Sequence, residues 1–131
     1  MPETPFFLWH PMLVALGAVS GSCARHYLII ELEKIFPYKH WSTFAVNLTA
    51  SFSFGLLNSW EVFNTLEIED SPLILFLGIG FLGGLSTFST FIVELLANLE
   101  NHRYRQFIYL AACSIVGGLA ATFLGYWLGN I

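Results

Sequence analysis

The residues best suited to ion chemistry lie at positions 78–91, in the segment GIGFLGGLSTFSTF. This segment combines four glycines with a run of hydroxyls and a Ser-Thr-Phe repeat, inside a stretch otherwise fit to cross a membrane. Small residues let backbones approach closely, and hydroxyls can replace the hydrogen bonds that an unwound turn gives up. A helix that only faces lipid needs neither property. The segment therefore predicts an interrupted membrane helix that lines a pathway or an ion site.

A second polar series occurs earlier in the chain, where Thr43, Asn47, Ser51 and Gly55 recur every four residues. This spacing places them along one face of a helix. The amide of Asn47 needs a partner at membrane depth, so it either joins two helices or lines a wet track. The pattern alone favours the first alternative and leaves the second open.

Small residues also recur four positions apart, which indicates close helix packing and an oligomer. The pairs are Gly17 and Gly21, Gly80 and Gly84, and Gly125 and Gly129. They carry no information about a substrate.

Two ionisable residues, Arg25 and Glu94, lie inside or near the ends of apolar stretches. Arg25 either extends to lipid headgroups or attracts anions, and Glu94 is either a proton or cation site or an interfacial residue. The four histidines show no metal-ligand spacing with cysteine or carboxylate. Cys23 and Cys113 fall in apolar stretches and are expected to be free thiols without a redox role.

The elements that must position these residues are four apolar stretches. The chain has 131 residues, of which 56% are hydrophobic and 11% charged, whereas soluble domains carry about 25% charged residues. Crossing a membrane takes roughly 20 predominantly apolar residues. We predict spans at residues 9–30, 41–63, 72–99 and 104–131, within one all-α subunit that covers residues 1–131. The amino terminus lacks the positive region of a secretory signal, so the first span is expected to be retained.

Charge is distributed unevenly across the predicted membrane. All five basic residues fall on one side, and by the positive-inside rule both termini then face outward. The net charge of −4 and the scattered bases argue against a nucleic-acid partner. The basic residues are Arg25, Lys34, Lys39, Arg103 and Arg105, and the acidic residues on the other side are Glu3, Glu61, Glu67, Glu69 and Asp70.

Three motifs together resemble the small bacterial fluoride channels called Fluc or CrcB. They are GFLGGLSTFSTF at residues 80–91, TFAVNLTASFSFG at residues 43–55 and GAVSGSCARHYL at residues 17–28. The resemblance extends over nearly the whole chain, including its length and number of spans. It implies a subunit with four membrane helices, the third of them broken, that pairs in antiparallel orientation around a central sodium ion.

The resemblance also implies the residues of a fluoride pore. Phe88 and Phe91 would line the fluoride path, and Asn47 would donate a hydrogen bond to the ion. The backbone carbonyls of Gly83 and of Ser86, which stands where the family more often has threonine, would hold the sodium. In the fourth span, Cys113 and Gly117 stand where the family often has hydroxyls. The other implied pore residues are Thr43, Thr90, Glu94, Tyr109 and Arg25, the last at the vestibule end of the first helix.

A channel of this kind exports fluoride passively across the inner membrane of the cell and makes or breaks no bond, so the resemblance implies no enzyme. Membrane lipid surrounds it. The strong charge bias predicts a single orientation, and the partner is an inverted copy or an inverted homologue. The rival function is a small proton-coupled multidrug transporter, in which Glu94 would have to serve as the essential acid. A non-transporting membrane subunit is a third alternative, but it leaves the hydroxyl-rich segment unexplained.

Overall fold

The computed structural model describes residues 4–64 and 71–131 of the chain, and helices dominate both ranges. No strand occurs in either range, so the predicted all-α class is confirmed. In chain order the elements are α1 (Thr4–Glu33), α2 (Lys39–Asn64), a π-helix called π1 (Ile74–Leu82), α3 (Gly83–Leu85), α4 (Phe88–Glu100) and α5 (Tyr104–Gly129). Four acidic residues that contribute to the predicted orientation lie outside the described ranges: Glu3, Glu67, Glu69 and Asp70.

Three helical runs are long and apolar enough to cross a membrane: Leu8–Glu33, Ile74–Glu100 and Tyr104–Gly129. The second of these runs contains π1, α3 and α4. The chain is therefore a multi-pass membrane protein. α2 has 26 residues but is not among the three runs found in the described ranges, and it carries several hydroxyls and Asn47. That α2 also crosses the membrane stays a prediction.

The third apolar stretch departs from a regular α-helix in two places. Its first part, π1, has the wider turn of a π-helix, with hydrogen bonds that join residues five apart. Its helical path then stops at Ser86 (φ −71°, ψ 149°) and Thr87 (φ −138°, ψ 120°), which have extended backbones. α4 begins directly afterwards at Phe88. We call Ser86 and Thr87 the extended dipeptide.

α2 and α5 pack closely because glycines remove side chains from their contact. A Cβ atom on Gly55 would overlap the carbonyl oxygen of Thr122, and one on Gly125 would overlap the carbonyl oxygen of Phe52. α1 packs against π1 in the same way, with Gly17 facing the carbonyl of Phe76 and Gly21 that of Phe81. The predicted role of the glycine pairs in close helix packing is confirmed, since Gly80, Gly84 and Gly129 also lie against neighbouring elements.

A small buried cluster holds α2 against the segment just before the extended dipeptide. Val46 and Ala50 of α2 pack there with Leu82 and Leu85, and Phe81 covers the cluster. Each of the four buried residues is at most 9% exposed. This core fixes the height at which Asn47, one residue beyond Val46, meets the extended dipeptide.

Candidate ion pathway

The side chain of Asn47 binds the backbone of Thr87 with both of its polar atoms. The Thr87 amide donates to Oδ1 at 2.8 Å, and Nδ2 donates to the Thr87 carbonyl at 3.2 Å. An amide nitrogen carries two protons, so Nδ2 keeps one for another acceptor. Asn47 thus joins α2 to the extended dipeptide and also lines a cavity beside it. The two alternatives left open for this residue are compatible.

This pairing changes the hydrogen bonds of the preceding turn. In a continuous α-helix the Thr87 amide would donate to the carbonyl of Gly83, four residues earlier. Here it donates to Asn47, and the Gly83 carbonyl instead accepts a bond from the Ser86 hydroxyl at 3.3 Å. The Ser86 carbonyl accepts a long bond from Nη1 of Arg25 at 3.4 Å. Both carbonyls that the family resemblance assigns to sodium therefore lie outside the helical ladder.

Arg25 contacts the end of a helical run. Its guanidinium lies at the Ser86 carbonyl, just after α3 ends. Unpaired carbonyls give a helix C-terminus a partial negative charge, which a cation stabilises. Arg25 is half-buried at this contact, and its implied position at the vestibule end of the pathway stays a prediction.

Thr87 also begins α4. Its Oγ1 accepts a hydrogen bond from the Thr90 amide at 3.4 Å and donates to the Thr90 hydroxyl at 3.2 Å. A threonine before the first helical residue is a typical N-cap, because it satisfies an amide that has no partner within the helix. The positive end of α4 consequently lies at the extended dipeptide.

A cavity of about 300 Å³ lies between α2, the extended dipeptide and α5. We call it the phenylalanine cavity, because the rings of Phe88 and Phe91 line it with their centroids 6.2 Å apart. Phe88 is 75% exposed, so little of the chain covers its ring. The predicted residues Phe88, Phe91 and Asn47 are brought together here. The other lining residues are Phe44, Leu48, Ser51, Ser86, Thr87, Ser114, Ile115 and Gly118.

The remaining predicted pore residues do not line this cavity. Thr43 is buried and donates its hydroxyl proton to Oε1 of Glu94 at 2.8 Å, which ties α2 to α4. Thr90 is bound to Thr87, as described above. Tyr109 lines a second cavity of about 950 Å³.

We call this second space the arginine cavity. It lies between the starts of α2 and α5 and the end of α4. Its lining residues are Tyr38, His40, Trp41, Phe44, Asn98, Arg103, Arg105, Gln106, Tyr109, Leu110 and Cys113.

Three residues at these cavities were missed by the sequence reasoning. Thr87 belongs to the Ser-Thr-Phe repeat but received no role of its own, although a Thr before an apolar helix is an N-cap signal. Ser114 supplies a hydroxyl from α5 next to Cys113, where none was expected. Phe44 lines both cavities. No pattern in the apolar sequence of α5 or around Phe44 indicates which side chains point inward.

The fold and the site define the class of small, all-helical, multi-pass membrane proteins, here with an aromatic cavity beside the extended dipeptide. Residues 12–126 match the family model described as "CrcB-like protein, Camphor Resistance (CrcB)", so the chain belongs to the CrcB family. The resemblance noted in the sequence is thereby confirmed.

Curated relatives support the same assignment. The "Fluoride-specific ion channel FluC 1" of Prochlorococcus marinus (strain MIT 9313) is 48% identical over 122 residues, which are 93% of each chain. The protein of that name from Synechococcus sp. (strain CC9902) is 42% identical over 90% of this chain and 91% of its own. The one from Ligilactobacillus salivarius (strain UCC118) is 38% identical over 90% of this chain and 97% of its own.

Proposed function

We propose that this protein is a subunit of a fluoride-selective channel that lets fluoride leave the cell passively, and that it is not an enzyme. The observation that carries the proposal is the cavity in which Phe88 and Phe91 lie beside the amide of Asn47. The names of its relatives support fluoride as the ion. Export lowers fluoride in the cytoplasm, where HF that has crossed the membrane dissociates.

The chemistry of the phenylalanine cavity suits a small, strongly hydrated anion. Fluoride gives up its water only where hydrogen-bond donors replace it, and the free proton of Asn47 Nδ2 and the Ser114 hydroxyl are such donors. Ring edges are positive and ring faces negative, so the edges of Phe88 and Phe91 add weak attraction. The N-terminus of α4 adds a partial positive charge. Several weak sites let an ion enter and also leave, as conduction requires.

The complete pathway requires four membrane helices, with the third broken at the extended dipeptide, and a second subunit in antiparallel orientation. The 75% exposure of Phe88 supports the second subunit, because a single chain leaves one side of the ring uncovered. Lipid tails cannot solvate an anion, so another protein surface closes the path. Thr43, Thr90, Glu94 and Tyr109 continue the pore away from Phe91, and Arg25 lies at its other end.

Sodium fits the carbonyls near the extended dipeptide. Backbone oxygens are hard ligands, and hard cations take several of them. The carbonyls of Gly83 and Ser86 are outside the helical ladder, and nothing lies within 4 Å of a Cβ placed on Gly83. Two carbonyls from each of two chains would hold the ion, which would fix the subunits together. Arg25 shares the Ser86 oxygen and limits its strength as a ligand.

A proton-coupled multidrug transporter is the alternative function. It requires an acid that takes up and releases protons during transport, and Glu94 is the candidate. Its carboxylate is already bound by the Thr43 hydroxyl, which supports a fixed role in a pore. Proton-driven dye efflux that is lost in Glu94→Gln would favour the transporter.

Fluoride efflux from liposomes that contain the purified protein tests the channel, with a fluoride electrode as readout and chloride as the control ion. We expect rapid, fluoride-selective efflux that Phe88→Ile abolishes, because an aliphatic side chain has no positive edge. Phe123→Ile is the matched control, since Phe123 is 72% exposed on α5 and does not line the cavity. Replacing sodium with N-methyl-D-glucamine during purification and assay should also stop efflux.

Equal efflux from the wild type and Phe88→Ile would contradict the aromatic pathway. Full efflux after sodium removal would contradict the structural cation. If the wild type alone gives no efflux, adding an inverted homologue separates a missing partner from a wrong function.

A further inference from the structure

The arginine cavity has a composition that the pore residues do not explain. It is about three times the volume of the phenylalanine cavity, at about 950 Å³ against about 300 Å³, and only Tyr109 among the predicted pore residues lines it. Its polar lining residues include Arg103 and Arg105, which carry guanidinium groups, and Asn98 and Gln106, which carry amides. These side chains are hydrogen-bond donors, and the guanidinium groups donate without accepting.

The two arginines carry positive charge that the described part of the chain does not balance. Lys34 pairs with Glu31 at 2.6 Å and Lys39 lies 3.9 Å from Glu33. Arg103 and Arg105 form no ion pair with a carboxylate in residues 4–64 and 71–131. His40 adds little charge near neutral pH, because burial lowers its pKa. The positive charge of the cavity therefore comes from the two guanidinium groups.

Two helix N-termini lie at the same cavity. α2 begins at Lys39 and α5 begins at Tyr104, and neither has an acidic residue in its first turn. A helix N-terminus carries partial positive charge and is stabilised by an anion. Basic residues at both starts increase the positive potential. An anion bound from solution would supply the negative charge that the first turns of α2 and α5 lack.

The arginine cavity adjoins the phenylalanine cavity. Phe44 lines both, and its ring makes an edge contact with Trp41, with centroids 5.8 Å apart. Trp41, Phe44 and Leu110 form apolar walls that strengthen electrostatic attraction inside the cavity. The side chain of Phe44 is therefore a wall that the arginine cavity shares with the cavity on the predicted fluoride path.

We propose that the arginine cavity is an anion-binding vestibule in which Arg103 and Arg105 hold a small inorganic anion. The site selects for charge and not for fluoride, because its donors are spread around a wide space. Its role in conduction, which rests on the proposed fluoride channel, is to raise the concentration of fluoride at one mouth of the pore. A phosphate headgroup of an anionic lipid shares this chemistry, and the test separates the two sources.

Quenching of Trp41 fluorescence by sodium iodide measures anion binding without any conduction. The contribution of Trp41 is the difference between the wild type and Trp41→Phe, in a neutral detergent that contains no anionic lipid. The double variant Arg103→Gln with Arg105→Gln is called the glutamine variant. We expect it to lower quenching by iodide about two- to threefold and to leave quenching by neutral acrylamide unchanged. Unchanged acrylamide quenching also shows that the variant is folded.

Two further variants make the result specific. Lys34→Gln with Lys39→Gln removes the same two charges from the same predicted side of the membrane without changing a lining residue, and we expect it to behave as the wild type. Arg103→Lys with Arg105→Lys keeps the charge and should restore iodide quenching. Equal iodide quenching in the glutamine variant and the wild type would overturn the proposal, whether or not the protein conducts. An iodide effect that phosphatidylglycerol abolishes but sodium phosphate does not would also overturn it, in favour of a lipid site.

Fluoride efflux from vesicles of neutral lipid tests the role in conduction. At low ionic strength the glutamine variant should lose about three- to tenfold in rate, and the difference should vanish at high salt because salt screens exposed charges. Efflux that is equal at all salt concentrations would overturn the vestibule and leave the channel proposal intact. Absence of efflux from the wild type both with and without an added inverted homologue would contradict the channel alone, since the iodide measurement still decides the site.

Discussion

Asn47 has a structural role and a proposed role in binding fluoride, and different substitutions can separate the two. Its Oδ1 accepts from the Thr87 amide and its Nδ2 donates to the Thr87 carbonyl, while the second proton of Nδ2 is the one proposed to bind fluoride. Asn47→Asp keeps the acceptor, removes the donor and adds a negative charge. We expect this variant to remain folded and to lose fluoride efflux, measured in liposomes.

Asn47→Leu removes both roles and provides the contrast. It leaves the Thr87 amide without its partner, which costs about 1–3 kcal/mol for a buried group. Thermal unfolding in detergent should therefore show a lower midpoint for Asn47→Leu than for Asn47→Asp. Wild-type efflux in Asn47→Asp would refute the donor role, and equal midpoints in both variants would refute the structural role.

At the scale of elements, glycines set the distance between helices. Replacing a glycine with alanine should lower stability only where the added Cβ would overlap a neighbouring helix. Gly55→Ala places a Cβ against the Thr122 carbonyl in the contact between α2 and α5. Overpacking of this kind costs about 1–3 kcal/mol, so we expect a lower unfolding midpoint. Gly118→Ala is the control, because it lies on α5 and the only neighbour of the added atom is the Ser51 Oγ at an ordinary contact distance of 3.7 Å. Similar losses in both variants would argue against steric overlap as the cause.

The sequence predicted the helical class and the small-residue contacts, because each has a local signal in residue type and spacing. It did not predict π1, since ILFLGIGFL is uniformly apolar and no polar residue marks the change in turn width. The positions of Ser114 and Phe44 at the cavities were not predicted for the same reason, because the sequence of a helix that is apolar on all sides does not indicate which face points inward. The pairing of Asn47 with Thr87 spans 40 positions and depends on the buried cluster around Val46, which no local pattern encodes.

At the scale of the whole molecule, charge distribution predicts one orientation in the membrane. With Cys23 and Cys113 replaced by serine, Asn130→Cys and Lys34→Cys place one thiol near each predicted side. An impermeant maleimide should label Asn130→Cys in intact cells and Lys34→Cys only after permeabilisation. Single orientation would require an inverted homologue as the partner in cells. Equal labelling of the two variants in intact cells would instead favour a dimer of identical, oppositely inserted chains.

The bond between Asn47 and Thr87 also bears on how the protein assembles. The Thr87 amide donates to Asn47, which lies on α2 and not on the third apolar stretch. Without α2, the extended dipeptide therefore leaves this amide without a hydrogen-bond acceptor. Within lipid an unpaired amide costs several kcal/mol. A nascent third span should therefore enter the membrane as an unbroken helix and unwind at residues 86–87 only when α2 docks beside it. The ion pathway is then a late product of biogenesis, created by the meeting of two helices.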